Sequence, residues 1–444
     1  MSRGMSRRAW LAGSLAAGGA LIGCAESIPK GRQGVDLWFS YGGKNRQLLE
    51  RLVARYNESQ PAIWVRPVFQ GDYFECLAKL RTAVAAGAAP ALSHVVGEVV
   101  PYLAEAGVLE PLSDYPGAGE LDFVPSLGQA GTWARGAARP LVALPFNRST
   151  PIAYLNGKLL KEARLEPPRS WDELTEAARA LGSRSGAAPR WGFECPIDWW
   201  FWVALVGQAG GQIIEPNGEL SLGGEAGAQG VLLWQRLVRD RLMRPPPGRD
   251  YNAWEVVNQD FLAGRAAMIW TSTAFLRYLE ENARFPVLAA PLPKHTRRAV
   301  PTGGTFFVVL RRAPEDEKRA AWEFLRWMNQ AEQSVDWATG TGYLPVTKQA
   351  VSLLETRGYY QEHPNDRVAY DQLEVAMTWP WSRSLFRVQR EVIQPRLEQA
   401  VLTGTPAREL LDEARALARR ELGSSEVSPG TSSGASSGRR EVAE

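Results

Sequence analysis

The stretch Leu144–Asn156 reads Leu-Pro-Phe-Asn-Arg-Ser-Thr-Pro-Ile-Ala-Tyr-Leu-Asn, and it constrains the fold more than any other part of the chain. Pro145 and Pro151 fix φ and hold the residues before them extended. Between them Asn147, Arg148, Ser149 and Thr150 crowd polar groups onto a short extended run, and Ile152, Ala153, Tyr154 and Leu155 follow in the pattern of a buried strand. A polar turn wedged between buried strands offers backbone and hydroxyl groups to a ligand. The stretch therefore reads as the crossing between two lobes, although an ordinary proline-bounded turn would carry the same residues. Asn147-Arg148-Ser149 also fits a glycosylation acceptor, which the bacterial export start described below argues against.

The flanking sequence alternates strand and helix. Val35–Ser40 is a first strand, Tyr41-Gly42-Gly43 a turn, and Leu48, Leu49, Leu52, Val53 and Tyr56 one helical face ended by Pro61. A second strand is expected over Ile63–Phe69, a helix from Tyr73, a third strand over Ala91–Val96 and a helix near Val100–Ala106. This β-α-β-α order predicts a mainly parallel sheet with covering helices. After the crossing, Ser170 and Glu173 form a capping box, and a loop carries Trp191, Phe193, Trp199, Trp200, Phe201 and Trp202. Helices are expected over Gln229–Arg239 and Ala253–Leu262. The strand Ala266–Trp270 delivers Thr271, Ser272 and Thr273 to its carboxyl end, where ligands of open α/β sheets gather; the same hydroxyls can cap the next helix. Gly303-Gly304 lets the backbone approach closely before a strand Thr305–Leu310. A helix Glu315–Asn329, a glycine-rich crossing around Gly340, Gly342, Tyr343 and Pro345, and helices Val388–Leu402 and Ala407–Leu422 complete the order. The Ser/Gly-rich tail 423–444 reads as disordered.

The first residues read as a targeting signal. Arg7 and Arg8 precede Trp10-Leu11, an apolar run reaches Ile22, and Leu21-Ile22-Gly23-Cys24 matches a bacterial lipobox. The signal is 1–23, lipid is carried on Cys24, and 24–34 is a linker. Several acyl chains together anchor a protein firmly, which puts the chain outside the cytoplasmic membrane, held to its outer or periplasmic face.

The mature part, about 420 residues, is too long for one core. A net charge of +3 is too small to point to nucleic acid. With His94, His295 and His363 as the only histidines, and no CxxC or HExxH motif, no metal or cofactor is expected. Cys76 and Cys195 cannot form a disulfide framework, and two separate buried thiols are the simpler reading. The chain has 17 Trp, a residue that fills cores and also stacks on sugars and cations.

Pro-Phe-Asn-x-Ser-Thr-Pro with a following Tyr-x-Asn closely resembles the first crossover of bacterial solute-binding proteins of the sugar-type import systems, and within them the glycerol-3-phosphate-binding branch. Gln70-Gly71-Asp72-Tyr73, Thr271-Ser272-Thr273, Pro301-Thr302-Gly303-Gly304 and Thr341-Gly342-Tyr343-Leu344-Pro345-Val346 extend the resemblance, in order, over Val35 to about Leu422. The resemblance implies a two-lobed α/β fold of the type II periplasmic-binding-protein kind, with 35–147 plus 301–341 as one lobe and 148–300 plus 342–422 as the other. It implies a small-molecule ligand captured between the lobes, delivery to an ABC permease, a monomer, and no catalysis. Tyr73, Ser149, Ser272, Gly304 and Tyr343 match the branch's ligand-contacting positions. The branch's carboxylate after the third strand falls on Gly97, with Glu98 one residue on, and its arginine near the penultimate helix falls on Glu391, with Arg390 and Arg387 beside it. A glycerophosphate or glycerophosphodiester is the implied ligand, with a neutral oligosaccharide as the alternative. A glycosidase would need a paired acid and base, and no acidic residue sits in a recognisable catalytic motif.

Overall fold

A computed structural model describes residues 27–133, 139–183, 189–215, 219–248, 250–377, 379 and 381–422. Cys24 with its export segment, and the tail from 423, lie outside these residues. The strands are β1 (Gln33–Phe39), β2 (Ile63–Phe69), β3 (Leu92–Val96), β4 (Leu144–Ser149), β5 (Pro151–Asn156), β6 (Trp191–Glu194), β7 (Met243–Arg244), β8 (Ala266–Ser272), β9 (Val287–Ala290), β10 (Val300–Pro301), β11 (Gly303–Val309) and β12 (Ala376–Met377). One sheet has the order β2-β1-β3-β11-β4, the other β7-β6-β8-β5-β9, and β10 pairs with β12.

The two-lobed α/β architecture is present, with one reversed strand in each sheet. In the first sheet β1 runs parallel to β2 and β3, but β11 runs antiparallel to β3 and β4. In the second, β6 is parallel to β7 and β8, while β5 is antiparallel to β8 and β9. In each sheet four strands run one way and one, β11 or β5, runs against them, so each sheet is mainly parallel with a single reversed strand. The physical reason is connectivity: β5 and β11 arrive directly through crossings, without the helical crossover that makes neighbouring strands parallel.

The crossing expected over Leu144–Asn156 is sharper than a polar turn. β4 ends at Ser149, β5 begins at Pro151, and Thr150 alone separates them. Every residue of both strands is buried, including Asn147, Arg148 and Ser149. In the first lobe Leu49, Leu52, Val53 and Tyr56 of the helix Gly43–Ser59 pack on Val35, Leu37 and Phe39, with Trp322 and Phe324 on the same core. Each such apolar side chain contributes roughly 1.5–3 kcal/mol on burial.

The tryptophan stretch is a strand and a helix, not a loop. β6 carries Trp191 and Phe193, and Trp199–Gln208 is a helix buried at every position. A helix that is apolar all round has no polar stripe to reveal its period. Trp199, Trp202, Trp234 and Trp270 are fully buried in the second core, so most of the tryptophan content there is packing. At the helix starting at Trp171, Ser170 Oγ accepts the Glu173 N–H (3.1 Å), but the Glu173 carboxylate takes the Arg169 N–H (2.6 Å) instead of closing the box on Ser170. The complete capping box is at Asp72 and Glu75, where the helix Tyr73–Ala86 begins. Cys76 and Cys195 are separate buried thiols.

One buried group makes the second lobe pH-sensitive. The Glu194 side chain on β6 is fully buried, neither carboxyl oxygen has a hydrogen-bond partner, and Arg244 Nη1 stays 3.8 Å away while it bonds Asp260. Burial first, then the Asp260 charge, push its pKa up to about 9. A carboxyl held neutral in the fold but ionised when unfolded costs stability as pH rises from the unfolded value towards 9. Glu194→Gln should therefore stabilise the protein by up to about 5 kcal/mol at pH 8 and leave it unchanged at pH 4. Urea unfolding across that range checks this; a variant that keeps the wild-type pH slope would show that Glu194 is not the group responsible.

Candidate functional site

The two sheets face each other across a cleft of about 1010 Å³ whose lining comes from both lobes. Three crossings form its base. Thr150 links β4 to β5, Thr302 links β10 to β11, and Gly342–Pro345 follows the helix Ala331–Thr341. The backbone ties them together: Leu344 N–H donates to Arg148 O (2.8 Å) and Thr273 N–H to Thr150 O (3.1 Å). β11 is aligned so that Gly303 opposes Ser149 and Gly304 opposes Arg148. Gly304 has φ 99°, and a Cβ on it would lie 1.6 Å from Asn147 O, so the bare Cα permits this approach.

Seven of the eight residues singled out from the sequence line this cleft. Ser149 ends β4 and Ser272 ends β8, opposite Pro151. Ser272 Oγ also accepts the Ala274 N–H (3.2 Å), so it caps the following turn while facing the cleft. The Asp72 cap sets Tyr73 at the first position of its helix, where its hydroxyl meets that of Tyr343 at 3.3 Å. Tyr343 in turn stacks on Trp337 at 6.1 Å. Glu98 sits in the short turn Gly97–Val99 that follows β3. Arg390 lies over Phe74, its guanidinium carbon 3.6 Å from the ring centroid.

Arg387 is the correction. It points to the surface, bonded to Glu391 (3.0 Å) and Glu421 (2.6 Å), and is not part of the cleft. Residues three apart share a side of an α-helix. Here Val388–Ile393 winds as a π-helix, whose hydrogen bonds reach five residues, so Arg390 turns inward while Arg387 stays out.

The sequence did not reveal Tyr41, Asp198, Trp200 and Trp254, which also line the cleft. Asp198 caps the tryptophan helix, accepting the Trp200 N–H at 2.8 Å, and reaches the Trp254 indole N–H at 3.4 Å. Trp200 stands 5.6 Å from Trp254 and donates its indole N–H to Thr302 O (3.2 Å). Its position just after a capping aspartate was a usable signal. At the base, the Asn147 amide lies beside the hydroxyls of Tyr41 and Tyr73, yet neither amide atom nor the Tyr41 hydroxyl completes a hydrogen bond. Buried polar groups that the chain leaves unpaired are where a polar ligand gains most.

The electrostatics divide the cleft. Burial raises the Glu98 pKa, a hydrogen bond to its own backbone and then Arg148 oppose the rise, and Asp198 adds to it. His94, behind Tyr41 and Tyr73, accepts the Ser40 N–H at Nε2 (2.6 Å) and is held neutral, its pKa pushed down to about 3 by burial. Among the described residues no cluster of His, Cys, Asp or Glu could hold a metal ion, and no helix is long and apolar enough to cross a membrane.

The family model of bacterial extracellular solute-binding proteins matches residues 51–365. The sn-glycerol-3-phosphate-binding periplasmic protein UgpB of Yersinia pseudotuberculosis is 25% identical over 397 residues, covering 83% of this chain and 88% of that one. UgpB of Escherichia coli strain K12 is 25% identical over 399 residues, with 85% and 87% covered. Among solved structures, UgpB from Mycobacterium tuberculosis in complex with glycerophosphocholine superposes with a TM-score of 0.78 at 25% identity, covering 88% of this chain and 99% of that one. The GacH receptor of Streptomyces glaucescens GLA.O, solved unliganded and with acarbose, gives a TM-score of 0.78 at 19% identity and shares the fold, with 88% and 98% covered.

Proposed function

Because this chain belongs to the bacterial extracellular solute-binding protein family, we propose that it captures a glycerol phosphate compound in the cleft and hands it to an ABC permease. One observation carries this reading: Tyr73, Ser149, Ser272, Tyr343 and the Gly304 backbone, from five separate stretches, converge on the cleft that Arg390 also lines. Hydroxyls and backbone N–H groups bind phosphate oxygens without a full counter-charge, and a guanidinium adds charge and planar fit. The cleft volume exceeds what glycerol phosphate alone would fill, which favours a glycerophosphodiester. Its second substituent would meet Trp200 and Trp254 beside Asp198, a wall that suits a polyol or a quaternary ammonium group. The length-wide similarity to UgpB proteins supports the same ligand class. The aromatic lining favours a second reading, a neutral oligosaccharide stacked on the same rings.

A thermal-shift screen separates the two, since a ligand stabilises the folded state by mass action. sn-Glycerol-3-phosphate or glycerophosphocholine should raise the melting temperature, and maltose and maltotriose should not. A response to the saccharides alone would replace the first reading with the second.

The same reading makes the protein a monomer tethered outside the cytoplasmic membrane through Cys24, which the lipobox supports. Cys24→Ser should abolish partition into detergent from alkali-washed membranes; a variant that still partitions would show that the anchor lies elsewhere.

A further inference from the structure

Arg148 carries a charge that the site as described does not use. Its side chain is 2% exposed, although burying a cation without a close partner is costly. Nη2 donates to Thr302 Oγ1 (3.0 Å), the guanidinium rests 4.5 Å over the Phe306 ring, and Nε has no partner. Burial lowers its pKa only to about 10, so it stays protonated near neutral pH. Its room comes from Gly97: a Cβ there would lie 3.2 Å from Arg148 Nη1 and 3.1 Å from Phe306 Cε2. The residue after Gly97 is Glu98, the carboxylate that attracts Arg148 and that faces the cleft. Gly97, Glu98 and Arg148 are thus linked: the bare Cα beside Glu98 admits the cation that acts on its carboxylate.

We propose that Arg148 is a positioning residue of the cleft: its buried guanidinium, admitted by the bare Cα of Gly97, holds the Glu98 carboxylate ionised as an acceptor for ligand hydroxyl groups. This rests on the reading of the cleft as a site for a glycerol phosphate compound, whose glycerol hydroxyls would be the donors. Without the cation, only the hydrogen bond from its own backbone would oppose burial and the neighbouring Asp198, which favour the protonated carboxyl, a poorer acceptor. The charged groups around Glu98 leave that role to Arg148. Asp198 has the wrong sign, Glu105 accepts from the Trp381 indole (3.1 Å), Arg390 lies on Phe74, and Arg387 is bonded at the surface. Arg148 also spans the base of the cleft, since its guanidinium holds the Thr302 crossing and its carbonyl accepts from Leu344. The charge that sets Glu98 therefore sits where the lobes hinge.

The test has a ligand-free arm and a ligand arm. In the unliganded protein, the infrared carboxyl band that disappears in Glu98→Gln reports the Glu98 titration. Arg148→Met keeps bulk and removes charge, and should move that titration up by roughly one pH unit or more. In the second arm, calorimetry with glycerophosphocholine is run from pH 5 to 9, a range in which a phosphodiester does not titrate. Arg148→Met should weaken binding about tenfold near pH 6 and less at pH 9, and should add little in a Glu98→Gln background. If Arg148→Met does not fold, Gly97→Ala, which crowds the guanidinium, should raise the Glu98 titration while Arg148→Lys largely preserves it. An unmoved Glu98 titration, or an affinity loss that is equal at every pH and persists in Glu98→Gln, overturns the proposal. If wild-type protein binds no glycerophosphate, the ligand reading fails, and the infrared arm still decides the role of Arg148.

Discussion

Gly304→Ala is expected to destabilise the protein by about 3 kcal/mol or more and to abolish ligand binding. Two effects add at this position. Its φ of 99° lies where side chains are rarely accommodated, and the new Cβ would meet Asn147 O at 1.6 Å, a clash with backbone that no rotamer relieves. Relief would have to separate β11 from β4, and that pairing fixes where Ser149 and the Thr302 crossing stand. Gly87→Ala is the control. It too has positive φ (69°) but no neighbour within 4 Å, so it should cost only about 1 kcal/mol for the left-handed backbone. Urea unfolding of both variants separates strain from clash. If the two lose equal stability, the close approach of β11 to β4 is not what Gly304 serves.

Trp200→Ala is expected to weaken binding by about 1.5–3 kcal/mol, tenfold to a hundredfold, with a smaller loss of stability. Trp202, on the same helix, is closed into the core, whereas Trp200 lines the cleft beside Trp254 and packs against Gly303. Truncation removes a wall of the site and the indole N–H held by Thr302 O. Trp200→Phe should recover much of the stacking. Calorimetry of both variants checks this, and an alanine variant that binds as wild type would remove Trp200 from the ligand wall.

Much of this molecule was legible because short-range physics and long-range structure agree. Pro145 and Pro151 force extension where β4 and β5 run, and both ends of Ile63–Phe69 and the start of the helix at Ala407 fell where turn and helix signals put them. The cleft residues were found mainly by family resemblance, and their positions at strand ends made the transfer sensible: Ser149 and Ser272 both close strands at the base of the cleft. What failed had no local signature. The helix Trp199–Gln208 hides its period by being buried on every side. The direction of β11 depends on a crossing between lobes, which strand patterns do not encode. Arg387 and Arg390 differ because one turn winds as a π-helix, and nothing in Val388–Ile393 announces that. Gly97 looked like a missing carboxylate, yet its Cα makes room for the guanidinium of a residue on another strand.

The central claim is that this cleft selects a glycerol phosphate compound. Its most direct test is calorimetric titration of the mature chain with glycerophosphocholine, sn-glycerol-3-phosphate and maltotriose at one pH and salt concentration. Saturable one-to-one binding of at least one phosphate compound at about micromolar Kd or tighter, weakened tenfold or more in Arg390→Ala, with no heat from maltotriose, is the result expected. Saturable binding of maltotriose, with neither phosphate compound binding, would contradict it.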